Sequence, residues 1–128
     1  MKTAVIVCFA LLTVSAGLIS QSKQAPKMTA TITFIELGSV NCIPCKKMQP
    51  VMKAIEHKYN EKVKVLFYDV WTPAQKPYAK KYGIRLIPTQ VFLDENGKEF
   101  FRHEGFYPEE DIHKLFNERG VTPVQAGG

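Results

Sequence analysis

The sequence predicts an α/β fold: a mixed central sheet whose first strands run parallel, with an antiparallel hairpin at one edge and helices on both faces. Three observations carry this expectation. Segments of strand and helix periodicity alternate from residue 30 onward, in the order strand, helix, strand, helix, hairpin, helix. Asp94-Glu95-Asn96-Gly97 between two apolar runs is a strong hairpin signal. A chain of 128 residues, 45% of them hydrophobic, can bury one core and is too short for two domains.

Residues 1–19 read as a signal peptide or membrane anchor. Met1-Lys2 supplies a short basic start, residues 4–14 an apolar heart, and Val14-Ser15-Ala16 the small residues that precede a polar sequel. A buried helix of the domain is the poorer reading, because the run has no polar face. It falls slightly short of the ~20 residues that span a bilayer, yet with its flanks it can anchor. The protein is therefore expected to be exported, periplasmic or extracytoplasmic, and either cleaved or held by residues 4–19. Cys8 lies inside this run without a small residue before it, so it travels as a passenger of the signal rather than as a lipid-attachment site. Residues 20–29 form a polar linker.

The domain is expected at residues 30–120. Thr alternates with apolar residues at the start of 30–37, as in a strand entering a covered sheet, and Gly38-Ser39-Val40-Asn41 breaks it. Residues 42–59 place Met48, Val51, Met52, Ile55 and Tyr59 on one helical face, with Met48 and Met52 filling core. Pro44 fits the first turn, where a missing N–H costs nothing, and Pro50 falls in the interior. Residues 62–70 are a second strand, read as central. A helix over 72–82 would start at Thr72-Pro73 and stop at Gly83, with Pro77 splitting it. Strands at 90–93 and 98–103 flank the hairpin turn. Pro108 opens a last helix whose Ile112, Leu115 and Phe116 face inward, Gly120 ends it, and 121–128 is a loose tail.

The formal charge of +5 is dispersed. Lys46-Lys47 and Lys80-Lys81 are pairs rather than a basic tract, which argues against nucleic-acid binding and for a solvated basic surface. The chemistry concentrates at Cys42-Ile43-Pro44-Cys45. Two thiols at this spacing, at the start of a helix, can close and open a disulfide within one turn, but the same spacing is also half a zinc site or part of an iron–sulfur run. With Cys8 in the opening segment, the domain owns one pair. Zinc normally takes four ligands, no second C-x-x-C is present, and His57, His103 and His113 stand apart in the sequence. A soft-metal carrier that holds copper on the two thiols is the alternative from another class.

Several pieces of the chain, in the same order, resemble the thioredoxin family. Cys42-Ile43-Pro44-Cys45 is similar to its redox motif, Pro50 to its helix proline, Tyr82-Gly83-Ile84-Arg85-Leu86-Ile87-Pro88-Thr89 to the segment with its cis-proline, and Gly105 to the glycine after its hairpin. Two positions depart from the family: Asn41 replaces the usual aromatic residue, and Ile-Pro replaces Gly-Pro between the cysteines. Phe92-Leu93-Asp94, Gly97 and Gly105-Phe106 are also similar to extracytoplasmic relatives, namely the thioredoxin-like domains of transmembrane disulfide reductases and the cytochrome c maturation thioredoxins.

The resemblance implies a thioredoxin fold and a protein disulfide oxidoreductase that needs no cofactor or metal beyond a redox-active Cys42–Cys45 disulfide. Cys42, at a helix N-terminus that favours a thiolate, is the expected nucleophile, and Cys45 the resolving thiol. Glu36 occupies the place of the family's buried acid and is a candidate proton acceptor; a solvent-facing carboxylate at the strand end is the other reading. Pro88 is the expected cis-proline, with Ile43, Pro44 and Ile87 forming the client-binding rim and Trp71 packing instead. Pro before the second Cys, and no His there, imply reduction, with an oxidase or isomerase as alternative. The implied partners are client proteins with disulfides, apocytochrome c among them, and a membrane thiol:disulfide electron-transfer protein that supplies reductant to a monomer.

Overall fold

A computed structural model of the chain describes residues 31–124; the opening segment with Cys8, the linker and residues 125–128 lie outside the described residues. Strand β1 (Ile32–Gly38) leads through helix α1 (Ile43–Tyr59) and a 3₁₀ turn (Asn60–Lys62) to β2 (Val63–Asp69). Helix α2 (Lys76–Lys81), the hairpin β3 (Thr89–Leu93) and β4 (Glu99–Glu104), and helix α3 (Glu109–Glu118) follow. The strands are ordered β2-β1-β3-β4, with β1 and β2 parallel and the other two pairings antiparallel. This is the mixed sheet the alternating periodicity predicts.

Alternation along β1 divides the core in two. Ile32 and Phe34 point to the face covered by α1 and α3, where they meet Met48, Ile55, Tyr59, Ile112 and Phe116. Ile35 and Leu37 point to the opposite face, where Val70 and Val91 join Tyr78, Ala79 and Tyr82 of the α2 region. Phe92 lies fully buried in the first layer, stacked on Phe34 at 4.8 Å and edge-on to Phe116 at 5.8 Å. Each such aromatic contributes about 1.5–3 kcal/mol by leaving water. Helix α1 keeps Met48, Val51, Met52, Ile55 and Tyr59 on the buried side, as their spacing requires.

The register brings four chain segments together at one end of the sheet. Gly38 pairs with Asp69, Leu37 with Thr89, and Thr89 with Glu104. The ends of β1, β2 and β4 and the start of β3 therefore share an edge, and the loop into α1 rises from the same edge.

Three expectations are corrected. β2 is an edge strand among the described residues, not a central one. Its apolar run reflects helices on both faces rather than strands on both sides, and residues 65–68 stay only partly buried. Helix α2 begins at Lys76 rather than Thr72, with Pro77 in its first turn instead of splitting it. Pro77 has no N–H to give the carbonyl four residues back, so 72–75 forms turns in which the Thr72 hydroxyl donates to the Asp69 carbonyl at 2.8 Å. The tail is not loose at its beginning. Val121 is buried, and the Val124 N–H donates to the Lys58 carbonyl at 2.8 Å.

Candidate active site

Cys42 caps α1. Its backbone is extended (φ −93°, ψ 125°), its carbonyl accepts from the Lys46 N–H at 3.0 Å, and its sulfur accepts from the Cys45 N–H at 3.4 Å. The helix thus begins one residue later than its apolar pattern suggests, with the first thiol at the cap. Cys42 and Cys45 are joined as a disulfide, with Cα atoms 5.2 Å apart. Cys42 is 8% exposed and Cys45 fully buried, so a client reaches the pair from the Cys42 side.

The loop before the pair is tied to the sheet by its backbone. The Val40 N–H donates to Asp69 Oδ2 at 3.2 Å, and the Val70 N–H to the Gly38 carbonyl at 2.9 Å. The Asn41 N–H donates to Ser39 Oγ at 3.2 Å and the Cys42 N–H to the Ser39 carbonyl at 3.2 Å. Asn41 presents its side chain to solvent beside the cysteines. Gly38 is more than a strand breaker. A Cβ placed on it would stand 3.1 Å from Cys45 Sγ and 3.2 Å from Cys45 Cβ, so this approach of helix to strand needs the missing side chain.

Glu36 lies two residues before Gly38 and so points to the same face, one pleat back along β1, about 6.6 Å along the strand. It is fully buried, which removes the solvent-facing reading. Oε2 accepts from Gln90 Nε2 at 3.0 Å; Oε1 has no protein partner among the described residues. Burial pushes the carboxyl up to about 8, against the smaller opposing effect of the Gln90 hydrogen bond. At neutral pH the group is mostly a protonated acid, poised to exchange its proton near the pH at which thiols ionise.

The Ile87–Pro88 bond is cis. Pro88 is buried and Ile87 half-buried, and the Pro88 carbonyl accepts from the Gly105 N–H at 2.8 Å. Gly105 has φ +91°, a conformation open to glycine that lets the chain leave β4 against this loop. Ile43 is 71% exposed and Pro44 is exposed, both between the two cysteines in the chain. Trp71 overturns its expectation: at 60% exposed it is not packed, but edges a groove of about 280 Å³ shared with Lys76, Ile84, Leu86 and Ile87.

Sequence reasoning missed Gln90 and Asp69. Gln90 is wholly buried beside Glu36, and Asp69 holds both the Val40 N–H and, through Oδ1 at 3.1 Å, the Trp71 N–H. A polar residue in phase with Phe92 on the helix-covered face of β3 was the available signal for Gln90. The histidines do not converge: His113 pairs with Tyr59 and Glu109, and His103 with the Phe106 carbonyl. Among the described residues no group of three or more His, Cys, Asp or Glu side chains could hold a metal ion.

A dithiol at a helix cap, on this sheet and beside a cis-proline loop, defines a thiol:disulfide oxidoreductase that works through its own disulfide. The chain belongs to the thioredoxin-like family, whose thioredoxin-like domain model matches residues 19–120, a span that takes in the stretch read as linker. It is 33% identical over 76 residues to a thioredoxin of Bacillus subtilis (strain 168), covering 59% of this chain and 70% of that one. It is 36% identical over 76 residues to thioredoxin-1 of Drosophila melanogaster, covering 59% and 64%. Among solved structures, the N21Q mutant thioredoxin from Halobacterium salinarum NRC-1 shares the fold at a TM-score of 0.62, with 21% identity over 74% of this chain and 78% of that one. A Nicotiana alata thioredoxin aligns at a TM-score of 0.59 with 27% identity, covering 69% and 72%.

Proposed function

We propose that this protein is an exported reductase of protein disulfides. The observation that carries the chemistry is the pairing of an accessible Cys42 at the α1 cap with a sealed Cys45 on the face shared with a buried, proton-loving Glu36. In the reduced protein the Cys42 thiolate attacks one sulfur of a client disulfide and the other client sulfur leaves as thiolate, giving a mixed disulfide. Cys45 then loses its proton to Glu36 and attacks the Cys42 sulfur. The Cys42–Cys45 disulfide forms and the second client thiol is released, so two electrons pass to the client. Free N–H groups in the first turn of α1 stabilise the Cys42 thiolate.

The client segment lies extended along Ile87-Pro88, whose backbone pairs with it as an added strand, while Ile43 and Pro44 touch it from the other side. The direction rests on Pro44 before Cys45 and Ile87 before Pro88, both as in reducing thioredoxins, and on the lack of His between the cysteines. Export rests on residues 1–19, and it carries a further requirement. Outside the cytoplasm the dithiol must be recharged, which calls for a membrane thiol:disulfide electron-transfer protein as donor, with apocytochrome c, its cysteines oxidised to a disulfide, among the clients. The purified, reduced protein is expected to accelerate reduction of insulin disulfides by dithiothreitol. A protein that binds Cu(I) tightly and leaves insulin untouched would be a metal carrier instead.

A further inference from the structure

We propose that Gln90 is a positioning residue for the resolving step: its amide holds Glu36 Oε2 and leaves Oε1 as the oxygen that takes up the Cys45 proton. This rests on the reading of Glu36 as acceptor of that proton. Gln90 stands directly across the β1–β3 ladder from Glu36, and neither residue is exposed. Its Nε2 lies 3.0 Å from Glu36 Oε2 and 3.0 Å from the Gly105 carbonyl oxygen. Both neighbours are acceptors, so together they use the two N–H bonds of the amide and set its orientation; the flipped amide would put oxygen against oxygen. The Gly105 N–H in turn donates to the Pro88 carbonyl, so the far end of the amide is held by the loop that carries the cis-proline.

The consequence for Glu36 follows from counting lone pairs. Oε2 is engaged as an acceptor, whereas Oε1 has no protein partner among the described residues, so the neutral acid carries its hydrogen on Oε1. The bond from Gln90 favours the ionised carboxyl, because a donor at 3.0 Å replaces part of the hydration that burial removes. Without it a wholly buried carboxyl would keep its proton through the working pH range and could not accept another. The amide's own Oε1 finds no partner among the described residues, so its hydrogen bonding there is carried by the nitrogen. The titratable groups on the same face of the sheet as the pair are Cys42 and Cys45 of the α1 cap once reduced, Tyr59 at the end of α1, Asp69 at the end of β2, His103 of β4, which pairs with Gln90 across the sheet, and Tyr107, stacked on His103.

Titration of the Glu36 carboxyl carbon by NMR tests the inference in wild type and in Gln90→Met, which keeps length and volume but has no donor. The Glu36 midpoint is expected to rise by about one pH unit or more, with an equal rise in the pH at which mixed-disulfide resolution becomes fast. An unmoved or lowered midpoint in the folded variant overturns the inference. If the variant does not fold, the wild type decides: the Gln90 side-chain amide nitrogen must shift with the Glu36 midpoint, and an amide indifferent to that titration overturns it. Glu36→Gln separates the two readings. If it leaves the pH profile of resolution unchanged, Glu36 is not the acceptor; if it abolishes the profile while Gln90→Met leaves the midpoint in place, only the role of Gln90 falls.

Discussion

Cys45→Ser is expected to accumulate a stable mixed disulfide between Cys42 and its client, whereas Cys42→Ser exchanges no disulfide. The asymmetry follows from burial. Cys42 is the partly accessible sulfur at the helix cap, while Cys45 is sealed against Gly38 and meets only what is already bound to Cys42. Resolution is an intramolecular attack within one helical turn, for which effective concentrations reach the order of 10⁵ M or more. Removing that attack leaves only slow reaction with external thiols. Non-reducing electrophoresis and mass spectrometry of protein recovered from its native cells would report the trapped species and identify the client. A Cys45→Ser protein that traps nothing, or a Cys42→Ser protein that traps clients, would reverse the order of attack.

Glu36→Gln is expected to stabilise the oxidised protein, increasingly so as pH rises. The folded carboxyl titrates near 8, well above its ordinary value of 4.5, because burial disfavours its charge. Between those values the folded protein keeps a proton that the unfolded chain has lost, so unfolding releases it and stability falls with rising pH. The fall begins near pH 4.5, ends near pH 8, and amounts to about 5 kcal/mol, a large part of the ~5–15 kcal/mol that holds a domain together. An uncharged amide of the same shape keeps the Gln90 partner and carries no such penalty. Urea unfolding at pH 5 and pH 9 measures it: the variant gains little at pH 5 and several kcal/mol at pH 9. Parallel pH dependence in both proteins would show that Glu36 ionises as freely when folded as when unfolded.

The chemical centre was more legible than its supports. Cys42, Cys45 and Pro88 could be placed because the segments around them resemble the thioredoxin family's, and so could Glu36, by counting back from Cys42 along a strand to the family's buried acid. What counting could not decide was which way Glu36 faces, since Ile35 and Leu37 beside it suit either side of a two-faced sheet; helices on both faces make the alternation ambiguous. Gln90 escaped notice for the same reason. A glutamine near a strand end reads as a boundary until its partner across the sheet is known, and that partner lies far away in sequence. Trp71 was misjudged because a lone tryptophan after an apolar run usually packs; here the Asp69 carboxylate takes its N–H and turns the chain outward. β2 looked central because its composition records what covers its faces and says nothing of its edges. The start of the tail was held by two backbone bonds that leave no compositional trace.

The claim that this site reduces disulfides is tested most directly by its redox potential, measured by equilibrating the Cys42–Cys45 pair against glutathione or dithiothreitol and counting free thiols. Reducing thioredoxins lie near ~−270 mV and strong oxidants of this chemistry near ~−120 mV, a gap worth about five orders of magnitude in the exchange equilibrium. A potential close to the lower value is the predicted result, and one close to the higher value would contradict the account by making the protein a donor of disulfides rather than a remover of them.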